Sequence, residues 1–198
     1  ARVLILANND GGLYHFRKEL ILELTKTHEV FVSLPYGEYI QKIKNLGCVY
    51  IETEINRRST NPFVDYKLVQ HYKKVIKQLE PDIVLTYTIK PNVYGGLACQ
   101  SLNVPYISNI TGLGTAVQNG GFLSKVALFL YKQGLKKSKC VFFQNNENQN
   151  FFVKKKIVKN NTRLIPGSGV NIDEHKFEEY PDSEEIIKFL FIGRIMKE

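Results

Sequence analysis

Two glycines, a histidine and an arginine stand close together in the stretch NNDGGLYHFRKEL, residues 8–20. They follow a short apolar run, residues 2–7, and lead into a helical pattern. A glycine after a strand lets backbone approach a ligand closely. A helix that follows offers free N–H groups and a positive dipole end to an anion. Gly11 and Gly12 are therefore a seat for a phosphate or a sugar hydroxyl, and Arg17 has the fork that grips a phosphate. His15 falls beside them. The spacing matches neither the G-x-G-x-x-G dinucleotide fingerprint nor a P-loop. A glycine pair of an ordinary loop, with His15 as a solvated helix-start residue, is the competing reading.

Other segments bring the same chemistry. TYTIKPNVYGG carries Lys90, NITGLGTAV carries Thr111, Gly112, Leu113 and Gly114, and NRRSTNPF carries Arg57, Arg58 and Asn61. Each follows an apolar run, so hydroxyls, glycines and cations are delivered to several strand ends. The adjacent arginines are equally compatible with a solvated loop. No Ser-His-Asp or Cys-His set is legible. The histidines, at 15, 28, 71 and 175, are too scattered for a multi-histidine metal site, and no metal is expected. Cys48, Cys99 and Cys140 fit no disulfide or zinc spacing and read as small buried residues in a reducing compartment.

These residues must be positioned by alternating elements. Strands are expected at residues 3–7, 30–34, 49–51, 83–87, 106–110, 141–143 and 163–165. Helices are expected at 15–26, 38–46, 62–79, 93–102, 122–136 and 146–155. Continuous apolar strands between amphipathic helices predict a doubly wound, Rossmann-like α/β parallel sheet. Ligands bind such sheets at the carboxyl ends of the strands, where strand order reverses. The Asn-rich patch FFQNNENQNFF is bracketed by aromatics and reads as a helix start. Beyond it come a turn-rich PGSGVNID and an acidic segment. A last apolar strand at 189–192 then reads as the first element of a missing second domain.

The formal net charge is +8 over 198 residues. That permits a phosphorylated ligand, an anionic membrane surface or nucleic acid. No nucleic-acid motif is present, and nucleic acid is not expected as a partner. In FLSKVALFLYKQGLKKSK, Lys125, Lys132, Lys136 and Lys139 line one helical stripe beside an apolar arc of Phe122, Leu123, Val126, Phe129 and Leu130. Such a helix suits an anionic bilayer surface, although a core helix with a solvated lysine edge has the same pattern. With no signal peptide or spanning run, the expected location is cytoplasmic, with peripheral contact to the inner membrane face.

The glycine pair with YHFR, KPNVYGGLAC, TGLGTAV, RLIPGSGVNIDEHKF and FLFIGRIMKE together resemble the amino-terminal half of a retaining glycosyltransferase of the GT-B fold, family 4. The subgroup it looks most like builds bacterial surface polysaccharides or lipid-linked oligosaccharides, including N-acetylgalactosaminyltransferases acting on undecaprenyl-diphosphate sugars. The resemblance implies an acceptor-binding domain at 1–170, a linker at 171–187 and the start of a donor-binding domain at 188–198. It implies a nucleotide-sugar substrate, a UDP-linked N-acetylhexosamine, and a polyprenyl-diphosphate-linked acceptor, with no cofactor. Gly11, Gly12 and Arg194 would face the donor diphosphate. His15, Arg17, Arg58, Asn61, Lys90 and residues Thr111–Gly114 would lie about the acceptor. Lys125, Lys132 and Lys136 would touch the membrane. Many members place a histidine after strand five, where this chain has Thr111, so no catalytic residue is assigned. A non-catalytic module for sugar or lipid phosphate is the alternative.

Overall fold

The protein is described by a computed structural model covering residues 1–56, 61–114, 117, 120–179 and 189–193. Seven parallel strands form one sheet: β1 (Arg2–Leu6), β2 (Glu29–Leu34), β3 (Val49–Glu52), β4 (Ile83–Tyr87), β5 (Tyr106–Ile110), β6 (Cys140–Phe143) and β7 (Thr162–Leu164). Their order is β3-β2-β1-β4-β5-β6-β7, so the strand order reverses between β1 and β4. The doubly wound expectation holds.

The two faces are built by alternation. Along β1, Val3 and Ile5 join one apolar cluster while Leu4 and Leu6 join the other. Helices α1 (Asp10–Thr25) and α2 (Ile40–Lys44) cover the first face with Leu13, Ile21, Ile40 and Ile43. Helices α3 (Pro62–Leu79), α4 (Gly96–Leu102), α5 (Gly121–Leu135) and α6 (Asn146–Lys154) supply the second, through residues such as Tyr72, Cys99, Tyr131 and Phe152. Right-handed crossovers produce this split, because the chain steps outward in opposite directions from β1.

A π-helical turn, Pro91–Gly95, precedes α4, where the sequence pattern predicts a continuous helix at 93–102. It packs against α5 at very short range. A Cβ on Gly134 would lie 2.6 Å from Val93 Cα, and one on Gly96 would collide with the Gly134 carbonyl. Only glycine permits that approach.

Several expectations are corrected. Helix α1 begins at Asp10 rather than near His15 because Asn9 caps it. Helix α2 is shorter than predicted. Residues 189–192 form no strand and are almost fully exposed. A strand needs a neighbour for its N–H and C=O groups, and none of the described strands pairs with this run. Cys48 and Cys99 are buried as expected, but Cys140 is only partly so.

Candidate functional site

The strand register brings the carboxyl ends of β1, β4 and β5 level. Leu6 pairs with Thr86, and Thr86 with Ser108. Neighbouring strands lie about 4.8 Å apart, so the segments after Leu6, Thr86 and Ser108 form one continuous rim at the switch point.

On the β1 side, Asn9 Oδ1 accepts the Gly12 N–H at 2.6 Å. A Cβ on Gly12 would stand 2.9 Å from that oxygen, so the glycine makes room for the cap. Gly11 and Gly12 are thus the first turn of α1, and one of their N–H groups is already engaged. The Asp10 carboxylate sits in the same turn and accepts the Tyr39 N–H at 2.9 Å.

His15 and Arg17 are separated by the helix. Two residues correspond to about 200° of rotation, so they face opposite ways. His15 is exposed, its ring edge-on to Tyr39 at 4.8 Å. Arg17 is buried, with its guanidinium carbon 5.0 Å from the centre of the Tyr87 ring at the end of β4. Its Nη1 donates to the Phe16 carbonyl at 2.5 Å and to Ser168 Oγ at 2.7 Å. Burial raises the pKa of Tyr87, and the adjacent Arg17 opposes that shift.

Lys90 is also buried. Its Nζ lies 2.6 Å from Asp65 Oδ1, and the Tyr94 hydroxyl donates to Asp65 Oδ2 at 2.7 Å. This triad ties the first turns of α3 to the π-helical turn. Burial first, then the Asp65 carboxylate, push the Tyr94 pKa up. Asn61 caps α3, its side chain accepting the Phe63 N–H at 3.0 Å. Thr111 and Gly112 are exposed on the rim, and Leu113 packs partly against the core. Gly114 takes a φ of +73°. Arg57, Arg58 and Arg194 lie outside the described residues.

The structure adds residues that the sequence pattern did not reveal. Thr86 Oγ1 donates to Asn92 Oδ1 at 2.6 Å, and Asn92 Nδ2 donates to the Asn109 carbonyl at 2.9 Å. This buried network anchors the π-helical turn to β4 and β5. Thr88 adopts a φ of +70°, an outlier for a β-branched residue. Its hydroxyl is buried without a hydrogen-bond partner among the described residues. Strain of this kind concentrates at ligand sites. No residue-type signal could have shown it, since Thr is chosen against at positive φ.

Beyond the rim, α5 turns one face inward, where Tyr131 and Leu135 join the core beside small residues, and leaves several large apolar side chains outside. Ser124, Ala127 and Gly134 are buried. Phe122, Leu123, Val126 and Phe129 are exposed, Phe122 to 82%. Lys125, Lys132, Lys136 and Lys139 are exposed as well. Among the described residues no helix is long and apolar enough to cross a membrane. No three His, Cys, Asp or Glu side chains among them gather as a metal-ligand group.

Comparison with known proteins agrees with this architecture. A family model described as "Glycosyl transferase 4-like" matches residues 2–145. The chain is 33% identical, over 190 residues, to N,N'-diacetylbacillosaminyl-diphospho-undecaprenol alpha-1,3-N-acetylgalactosaminyltransferase of Campylobacter jejuni. The match covers 93% of this chain and 50% of that relative, so the chain spans about half the relative's length. A glycosyltransferase from Rickettsia africae superposes with a TM-score of 0.66 at 20% identity, over 88% of this chain and 45% of the other. A UDP-GlcNAc 2-epimerase from Neisseria meningitidis, bound to UDP-GlcNAc, gives a TM-score of 0.61 at 15% identity, over 85% and 47%. At such identities these structures show a shared fold, which serves both transferases and epimerases.

Proposed function

Because this chain belongs to the glycosyl transferase 4-like family, we propose that it is the acceptor-binding half of a sugar transferase. The donor is a nucleotide-sugar, UDP-N-acetylhexosamine, and the acceptor a sugar carried on a polyprenyl diphosphate. Residues 1–170 hold the acceptor, 171–187 link, and 188–198 begin the donor-binding domain. The observation that carries the lipid-linked acceptor is α5. It presents Phe122, Leu123, Val126 and Phe129 to solvent with Lys125, Lys132 and Lys136. Exposed apolar side chains interleaved with lysines fit an anionic bilayer surface. Helix α5 follows β5, so its start adjoins the rim, and a docked α5 would bring that rim to the membrane.

Sugar transfer needs positive charge and aligned N–H groups where the diphosphate departs and where the oxocarbenium-like centre forms. In this reading Gly11, Gly12 and Arg194 face the donor diphosphate. Arg17, His15 and the loop of Thr111, Gly112, Leu113 and Gly114 surround the acceptor, with Arg58, Asn61 and Lys90 at its margin. His15 and Arg17 then serve different parts of the acceptor, given their opposite orientations. Asn61 and Lys90 act by shaping the α3 start and the π-helical turn, since both are engaged in local hydrogen bonds.

The test is a transfer assay with the full-length protein, UDP-N-acetylhexosamines and a polyprenyl-diphosphate monosaccharide in anionic vesicles, with the 198-residue chain alongside. The full-length protein is expected to add one sugar and the 198-residue chain to add none. Transfer to a soluble acceptor only would overturn the lipid-linked reading. Tight binding of the lipid acceptor without any transfer would favour the non-catalytic module.

A further inference from the structure

Arg17 is a buried cation among neutral partners. It is 8% exposed, and no carboxylate among the described residues pairs with it. The aromatic face of Tyr87 and two neutral oxygens compensate it in part. A guanidinium carries five N–H donors; the contacts to Phe16 and Ser168 use Nη1, and the Tyr87 side chain takes a further hydrogen bond, which leaves donors over for a ligand. A buried charge without a counter-ion is costly, and that cost falls when an anion arrives.

The chain beyond β7 supplies the rest of such a seat. It returns across the sheet to α1 and is held there by side chains. Lys18 Nζ donates to both carboxylate oxygens of Glu174 at 2.5 Å, and Asn171 Nδ2 donates to Glu19 Oε1 at 3.4 Å. Within this strap, Gly167 and Gly169 take positive φ on either side of Ser168. Ser168 is solvent-exposed, and its Oγ receives Arg17 Nη1 from beneath. Gln144 Nε2, just after β6, reaches the same hydroxyl at 3.5 Å. Three donor-bearing side chains from α1, β6 and the strap therefore converge on one point. It is open to solvent through Ser168 and is floored by a cation.

We propose that Arg17, Ser168 and Gln144 form an oxyanion seat for a diphosphate group. It rests on the transferase reading only for the source of that diphosphate. An entering oxygen would take hydrogen bonds from Arg17, Gln144 and the Ser168 hydroxyl. Ser168 then becomes a donor to the anion while remaining an acceptor from Arg17.

The 198-residue chain is titrated with pyrophosphate, uridine diphosphate and geranyl diphosphate by calorimetry, as wild type, Arg17→Gln and Ser168→Ala. Pyrophosphate is expected to bind. Arg17→Gln should weaken it by about tenfold or more, the scale of a lost charge-assisted hydrogen bond, and Ser168→Ala by about threefold. Circular dichroism confirms that each variant folds, and Ser168→Ala, at an exposed position, keeps the test valid should Arg17→Gln not fold. Preference for geranyl diphosphate assigns the seat to the lipid acceptor, and preference for uridine diphosphate assigns it to the donor. Either supports the seat. No pyrophosphate binding, or binding indifferent to both substitutions, overturns it and leaves Arg17 as a clip between α1 and the strap. A failed transfer assay would not alter these titrations, so the two readings fail separately.

Discussion

The Lys90 ammonium lies 2.6 Å from the Asp65 carboxylate, and both side chains are nearly sealed from solvent. The pair joins α3 to the π-helical turn and so braces one side of the rim. Removing one partner strands the other charge in the interior.

Asp65→Ala is therefore expected to cost about 3–5 kcal/mol in denaturant unfolding. Lys90→Met removes the cation and leaves the Asp65 carboxylate, among the described residues, with the Tyr94 hydroxyl. The double variant should lose less than the sum of the single variants by more than about 1 kcal/mol. Strict additivity would mean that the contact contributes nothing of its own.

Thr88 leads to an unusual expectation. Shortening a β-branched residue to glycine ordinarily costs stability, because the unfolded chain gains freedom. At a φ of +70°, Thr88→Gly instead relieves strain of about 1–3 kcal/mol. The melting temperature should hold or rise. A loss of more than about 1 kcal/mol would show that the conformation is unstrained.

Membrane contact through α5 is open to direct measurement. Replacing Lys125, Lys132 and Lys136 together by alanine should weaken co-sedimentation with anionic vesicles by about 1 kcal/mol per lysine. Phe129→Ser, at an exposed position, should weaken binding further without unfolding the protein. Equal recovery of wild type and variants on anionic and neutral vesicles would rule α5 out as the contact.

His71 makes stability depend on pH. Its Nε2 lies 2.9 Å from Thr53 Oγ1, itself hydrogen-bonded to Ser33 at 2.6 Å. Burial first, then Lys74, lower its pKa, with Glu54 opposing. Between the folded value and the unfolded value of about 6.5, the unfolded chain binds more protons. Stability from this site is thus complete above about pH 6.5 and declines as the pH falls toward the folded value. Unfolding midpoints at about pH 7.5 and 5.5 should differ less for His71→Gln than for wild type. An equal difference would place the dependence elsewhere.

Much of the architecture was legible before any coordinates. Apolar runs such as residues 83–87 and 106–110 are too short for helices and too continuous for a half-exposed sheet. The intervening helical patterns then force parallel strands. Asn145 was readable as a helix start, and it caps α6 through Asn148. Composition and motif order also point to the family.

What a side chain faces was decided only in three dimensions. His15 and Arg17 are near neighbours in sequence, but helix geometry turns one to solvent and the other beneath the strap. Ser168 joins Arg17 although 151 residues separate them, a contact that exists because β7 returns the chain to the same rim. Lys90 has the composition of a ligand-binding cation and is held by Asp65 instead. Helix α5 shows the reason most clearly. Periodicity alone is consistent with Phe122 and Phe129 in the core. The inner face is the one that carries Ser124, Ala127, Tyr131, Gly134 and Leu135; Gly134 lets that face close on Val93 and Gly96, and this docking leaves Phe122 and Phe129 outside. Local pattern chooses the element; close packing against the rest of the chain chooses which face is buried and therefore which residues can meet a ligand.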